Sequence, residues 1–248
     1  MFRRGIVLRI KGRITMYLSV YSLLYFLLVI FPYLAFGFRS TRLFVGIPDL
    51  IDLTLYVPVF SFILLSIFWC YDISNIPDWL RFLAYFFFVL HFWGHGFHWA
   101  ANAVDVALTN NSAPSEVINF AYFLDEILGH IFMFSGLLLF VFVLTYIDII
   151  YVDEYPHFNR IRLGFFGFFL GFSLTLAFIE GQYIRYALIL CAIYIISLLL
   201  YCGKTRNTLI FRSPFIYFWI IAFLSIFVWS SIYVAIFGDF YQPSELFG

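Results

Sequence analysis

Charged residues are scarce in this chain. Of its 248 residues only 11% are Asp, Glu, Lys or Arg, 64% are hydrophobic, and the formal net charge is zero. Soluble globular domains carry about 25% charged residues, so the composition excludes that class. Beyond the basic residues of segment 1–13 there is no basic stripe of the kind that binds nucleic acid, and we expect no nucleic-acid partner. The sequence predicts an integral membrane protein.

Cysteine is also rare. The chain has three cysteines, Cys70, Cys191 and Cys202, and each lies in an apolar run or at the end of one. Neither a disulfide framework nor a CxxC metal motif can be built from them. Loops are short and no segment is rich in Gly and Ser, which favours a single transmembrane domain over residues 1–248.

Seven apolar runs are each long enough to cross the roughly 30 Å of hydrocarbon in a bilayer. Their approximate bounds are 14–38, 50–71, 82–108, 117–147, 163–179, 183–202 and 214–237. The first run is too long for a signal peptide, so we interpret it as a retained helix. The predicted fold is all-α, a polytopic membrane protein with seven transmembrane helices.

Basic residues are distributed unequally between the two sides of such a protein. With the N-terminus inside, the inner segments hold 11 of the 14 Lys and Arg: Arg3, Arg4, Arg9, Lys11, Arg13, Arg81, Arg160, Arg162, Lys204, Arg206 and Arg212. The outer segments hold the other 3, Arg39, Arg42 and Arg185. Because cytoplasmic loops retain Lys and Arg, we predict a multi-pass protein of the cytoplasmic membrane, N-terminus in and C-terminus out. The basic segment 1–13 is expected to contact anionic membrane lipids.

The third predicted span contains most of the polar residues found within an apolar run. The segment "HFWGHGFHWAANAVD" places polar side chains at His91, His95, His98, Asn102 and Asp105. These positions step by four, three, four and three, so on a helix they share an arc of roughly 80°. Such a stripe must face the bundle interior or a wet cavity, since a charge costs about 2.5–3.5 kcal/mol at a helix centre. The intervening Gly94 and Gly96 would let a helix or ligand approach.

The fourth predicted span supplies complementary groups in "FLDEILGH". Glu126 and His130 are four residues apart and share a helical face, whereas Asp125 is rotated by about 100° from Glu126. Counting inward from the loop that joins the two spans, His95 and His130 come to the same depth. His98 and Glu126 form a second level pair by the same count. We therefore expect four of the five histidines to lie together.

Metal binding is the chemistry that this combination suits best. Imidazoles three or four residues apart on one helix, with a carboxylate and another imidazole from a facing helix, can complete a metal coordination set. The predicted ligands to a divalent ion, Zn²⁺ in first place, are His91, His95, His98, His130 and Glu126. Asn102, Asp105 and Asp125 are expected to orient the imidazoles by accepting their second N–H.

The corresponding function is a zinc-dependent intramembrane hydrolase. A zinc-bound water has a pKa near 7, and Glu126 or Asp125 would act as the catalytic general base. The substrate would be a lipid amide or ester, or a membrane-bound peptide. Seven helices with a histidine and carboxylate zinc site resemble the alkaline ceramidase and adiponectin-receptor group in general outline. That group carries HxxxH on its last helix, whereas the last span here, "PFIYFWIIAFLSIFVWSSIYVAIF", has no histidine, so no family membership is predicted.

Three alternatives stay open. The stripe could be a hydrogen-bonded seam that holds two helices together. It could bind haem b through two histidines, or a copper or iron redox centre, with Gly94, Gly96 and Gly129 making room for a porphyrin. The chain could also be a metal carrier or a non-catalytic subunit with other membrane subunits as partners, although its prolines lie mostly at span ends rather than at midspan breaks.

Overall fold

Helix makes up 90% of the structure, and no strand occurs in the described part of the chain. The computed structural model describes residues 2–34, 56–71, 75–151, 157–205, 209–243 and 246. In chain order the helices are α1 (Phe2–Leu34), α2 (Val57–Trp69), α3 (Asp78–Asn110), α4, α5 (Arg160–Glu180), α6 (Ile184–Thr205), α7 (Leu209–Arg212) and α8 (Pro214–Phe237). The run named α4 joins an α-helical segment Ser115–Tyr122, a π-helical segment Phe123–Gly129 and an α-helical segment His130–Tyr151. The all-α prediction is confirmed.

Local sequence signals fix several helix ends. Ser213 caps α8, because its hydroxyl accepts from the backbone N–H of Ile216 at 3.1 Å, and Pro214 occupies the first turn. Gly238 ends α8 with a φ of +87°, which glycine adopts without strain. Asn159 caps α5 in the same way through Arg162 N–H at 3.0 Å. The predicted span 214–237 therefore coincides with α8.

Four helices are long and apolar enough to cross a membrane: α4, α5, α6 and α8. The apolar parts of α1 and α2 are shorter, and the predicted span 50–71 begins in residues outside the described part of the chain. Helix α3 has the length, but the polar residues of its C-terminal half interrupt its apolar stretch. The structure thus supports a membrane protein with at least these four candidate spans. Seven spans and the orientation are not confirmed, and Arg39, Arg42 and Arg206 lie outside the described residues.

The apolar core centres on α8, which packs along α5. Trp219 and its neighbours Phe218 and Phe223 are fully buried there. Helix α1 packs against the same α5, and α3 packs along α4. Buried residues of α4, Phe134 and Leu137 among them, join the α3–α4 pair to this core. One helix pair therefore carries the predicted polar stripe, while another pair builds most of the core.

Candidate functional site

The N-terminal part of the stripe, His91 and His95, contacts Met133 of α4. The Nδ1 of His91 lies 2.7 Å from the Met133 carbonyl oxygen, and the Nδ1 of His95 lies 2.8 Å from the Met133 sulfur. All three side chains are buried. The Tyr56 ring packs on the His95 ring with centroids 4.5 Å apart. We call His91, His95 and Met133 the methionine–histidine group.

The next residue of the stripe, His98, lies against the segment of α4 that contains Asp125 and Glu126. The Nδ1 of His98 lies 2.5 Å from an Asp125 carboxylate oxygen, and the rings of His98 and His130 have centroids 4.3 Å apart. The Nδ1 of His130 is 2.8 Å from the Glu126 carbonyl oxygen and 3.7 Å from its carboxylate. We call His98, Asp125, Glu126 and His130 the carboxylate–histidine group. Two imidazoles and two carboxylates are thus brought together from two helices.

The four histidines share one geometric property, which is that each is held through Nδ1. The atoms that Nδ1 contacts are carbonyl oxygens for His91 and His130, a thioether sulfur for His95 and a carboxylate oxygen for His98. A carbonyl oxygen can only accept, so Nδ1 of His91 and of His130 carries the proton and Nε2 carries the lone pair. Metal-binding histidines are commonly fixed in this way, with one ring nitrogen bonded to the protein and the other directed at the ion.

The predicted register of α3 against α4 is wrong by two to three residues, and the π-helical segment Phe123–Gly129 of α4 contributes to this shift. Gly129 lies against the backbone of His98, which counting had placed level with Glu126. Gly94 lies against the backbone of Met133, so the residue beside it, His95, lies deeper than His130. A π-helix places more residues in each turn, so the chain advances less per residue than the count assumed.

The same segment explains the position of Asp125. On a regular α-helix Asp125 and His130 would point to different faces, whereas a π-helix, with its i to i+5 hydrogen bonds, brings residues five apart closer to one face. Asp125 is buried and directed at His98. The sequence predicts Asp125 as a general base or an orienting group, rotated away from the face of Glu126. In the structure its carboxylate contacts an imidazole across the helix interface.

Glycines set the distance between α3 and α4. A Cβ at Gly94 would collide with the backbone of Met133, and one at Gly136 with the backbone of His91. A Cβ at Gly129 would lie 2.9 Å from the Cβ of His98. The predicted close approach therefore holds for Gly94 but not for Gly96, where an added Cβ would have no neighbouring atom within 4 Å. Backbones in contact at these levels leave no width for a porphyrin, which disfavours haem b between the two helices.

Asn102 and Asp105 occupy the C-terminal end of the stripe. Both are half-buried on α3. Asp105 is within electrostatic range of Asp125, and one of its carboxylate oxygens is buried without a hydrogen-bond partner among the described residues. Asp125, for which we predict the same orienting role, contacts the imidazole of His98. For Asn102 and Asp105 this role stays a prediction.

Gln242, from the segment that follows α8, is a member of the site that sequence reasoning missed. Its side-chain amide donates to the Glu180 carbonyl oxygen at 2.5 Å and lies 3.4 Å from the Glu126 carboxylate. Tyr233 fastens this segment by donating to the Tyr241 carbonyl oxygen at 2.7 Å. Periodicity gives no signal for such a contact, because Gln242 is 116 residues from Glu126 in sequence. Met133 was missed for another reason, since its side chain is apolar.

The carboxylate–histidine group is partly accessible. The side chains of His98 and Glu126 are 23% and 22% exposed, whereas those of Asp125 and His130 are 6% and 8% exposed. The group therefore has a buried half held by protein contacts and an open half that another molecule can reach. The methionine–histidine group has no such opening, since His91 and His95 are both buried.

In the described part of the chain, no three His, Cys, Asp or Glu side chains stand together as a ready-made ligand set for a metal ion. Comparison with protein-family models, with curated proteins and with solved structures gives no match. The function must therefore be argued from the geometry of the two groups.

Proposed function

We propose that this chain is a membrane-embedded metal-binding protein that holds a divalent ion, Zn²⁺ in first place, at the carboxylate–histidine group. The observation that carries the proposal is the anchoring of His98 and His130 through Nδ1, by a carboxylate and by a carbonyl oxygen. This anchoring directs the metal-binding nitrogen, Nε2, away from the protein contacts. The two rings have centroids 4.3 Å apart, which is close enough for both to bind one ion.

Glu126 is the third ligand of the proposed site. Its carboxylate lies 3.7 Å from Nδ1 of His130 and 3.4 Å from the amide of Gln242. Neither distance is that of a short hydrogen bond, so rotation of the Glu126 side chain toward the ring nitrogens breaks little. Binding thus requires movement of one partly exposed side chain, with both imidazoles already held.

Charge also favours an ion at this place. Asp125 and Glu126 are adjacent carboxylates, and Asp125 is buried. Carboxylates at this depth are costly unless they are paired or coordinate a metal. A divalent cation between His98, His130 and Glu126 would offset both charges, with Asp125 raising the basicity of His98 as a bonded partner.

The reaction that we propose is hydrolysis of a lipid amide or ester, or of a membrane-bound substrate. Zinc with three protein ligands keeps a position for water, and the bound water becomes a nucleophile near neutral pH. The exposed edges of His98 and Glu126 provide the route by which water and substrate would reach the ion. Asp125 is the second carboxylate of the group, and we propose it as the general base.

The zinc proposal is tested by metal analysis of the purified protein. We expect about one zinc per chain in the wild type, and loss of zinc in His98→Asn and in His130→Asn, because each removes a ligand. His157→Asn is the matched control, since His157 is the fifth histidine and is exposed ahead of α5. Wild-type protein that takes up no zinc when zinc is offered, or ligand variants that keep it, would overturn the proposal. Hydrolysis is tested by adding lipid esters and amides to zinc-loaded protein, with a chelator as control.

We also propose seven crossings of the cytoplasmic membrane, with the N-terminus inside. The charge distribution of the sequence supports this arrangement. After removal of the native cysteines, Asn110→Cys should react with a membrane-impermeant maleimide in intact cells, because the loop between α3 and α4 would lie outside. Lys204→Cys, at the end of α6, should react only after the cells are lysed. The opposite pattern would reverse the orientation.

A further inference from the structure

The methionine–histidine group has a buried lone pair that the proposed zinc site leaves unused. His91 donates through Nδ1 to the Met133 carbonyl oxygen, so its lone pair is on Nε2. That nitrogen is buried and has no hydrogen-bond partner among the described residues. An unsatisfied buried acceptor is costly, and such a group calls for an explanation. A bound ion on Nε2 supplies one.

We infer that His91, His95 and Met133 form a binding site for monovalent copper, Cu(I), one turn deeper than the carboxylate–histidine group. His91 and His95 are four residues apart on α3, and both rings contact the same residue of α4. The site supplies two imidazole nitrogens and one thioether sulfur. The inference does not depend on the proposed zinc site, with which it shares no residue.

The donor atoms select the metal. Thioether sulfur is a soft ligand that favours Cu(I), whereas zinc sites in proteins use thiolate, imidazole and carboxylate. The Met133 sulfur lies 2.8 Å from a ring nitrogen of His95, so two donors of different type already face each other. Methionine is flexible enough to move its sulfur slightly when an ion enters between them.

The surroundings select the charge of the ion. All three side chains are buried, and the aromatic rings of Tyr56 and Phe92 pack on the two imidazoles. The carboxylates Asp125 and Glu126 contact the other two histidines instead. A single positive charge is much less costly than a double one in such apolar surroundings. The α3–α4 interface therefore offers two sites. The partly exposed carboxylate–histidine group suits zinc, and the buried methionine–histidine group, with its soft sulfur ligand, suits Cu(I).

Titration with Cu(I) in the presence of a chromophoric Cu(I) chelator, without oxygen, tests the inference. We expect one Cu(I) per wild-type chain. Affinity should fall by about tenfold or more in Met133→Leu, a substitution that keeps the volume of the side chain. Met16→Leu is the matched control, because Met16 is exposed on α1 and should leave affinity unchanged. Absence of Cu(I) binding in the wild type, or equal affinity in the two methionine variants, would overturn the inference.

X-ray absorption at the copper edge provides a measurement that needs no substitution at the site. Protein grown with selenomethionine in the Met16→Leu background should show selenium next to copper, and a coordination shell of nitrogen alone would contradict the site. The double variant His98→Asn, His130→Asn separates this inference from the zinc proposal. It should lose zinc and keep Cu(I), so loss of Cu(I) in that variant would also count against the inference.

Discussion

Two helix interfaces of this protein use glycine in the same way but differ in chemistry. Between α5 and α8, a Cβ at Gly167 would lie 2.8 Å from the Phe218 carbonyl oxygen, and one at Gly171 would collide with Ser225. The polar groups there are hydroxyls that bond to backbone carbonyls, as Ser225 does at 2.9 Å. Between α3 and α4, glycines allow the same closeness, yet histidines and carboxylates line the contact.

The comparison shows which residues close helix packing requires in this protein and which it does not. The α5–α8 interface shows that this chain joins two helices closely with glycine, serine and apolar side chains alone. Four imidazoles and two carboxylates are therefore not needed to hold α3 against α4. Ionisable groups inside a membrane are costly, and those that occur there mark functional sites. The α3–α4 interface is the candidate site for that reason.

Glycine substitutions should have the largest effects, and they should affect both interfaces alike. Gly94→Ala and Gly171→Ala each place a methyl group where backbone or side-chain atoms already lie. We expect each to lower the free energy of unfolding by about 1–3 kcal/mol, the usual cost of overpacking. Gly96→Ala should have little effect because the space around it is open. Thermal unfolding in detergent measures all three, and a stable Gly94→Ala variant would show that the α3–α4 contact is looser than described.

Asp125→Asn should have a smaller effect on stability and should affect only one interface. The amide keeps the shape of Asp125 but loses its charge, so His98 becomes less basic, and we expect zinc affinity to fall by roughly 10- to 100-fold. Ser225→Ala, the matched change at the α5–α8 interface, should leave zinc affinity unchanged and cost about 0.6 kcal/mol of stability. Competition with a zinc chelator measures affinity. Equal zinc affinity in the two variants would mean that the α3–α4 interface is also only a packing contact.

Sequence reasoning predicted the helices well where the signals were local. The bounds of α8 follow from Ser213, Pro214 and Gly238, each of which has a defined role at a helix end. The polar stripe of α3 follows from the spacing of its residues, and the contacts of His91, His95 and His98 show that it faces α4. These features depend on neighbours within a few residues.

The details of the site could not be predicted because they depend on geometry beyond regular helices. Counting residues assumed an α-helix through Asp125, and the π-helical segment changed both the register and the direction of that side chain. Met133 reads as an ordinary core residue in the sequence, yet it holds two histidines. Gln242 reaches Glu126 from the far end of the chain, which no periodic pattern reveals.

The π-helical segment has a consequence for how this protein tolerates insertions and deletions. A chain lacking one residue between Phe123 and Gly129 could form an ordinary α-helix through this stretch. Because a π-helical turn holds about one residue more than an α-helical turn, the parts of α4 before and after the segment would keep nearly the same facing. His130 would stay against α3, while the side chains within the segment, that of Asp125 among them, would change direction relative to His98. A one-residue gap at this place in a variant sequence would therefore identify a protein that keeps its histidines but has lost their carboxylate partner.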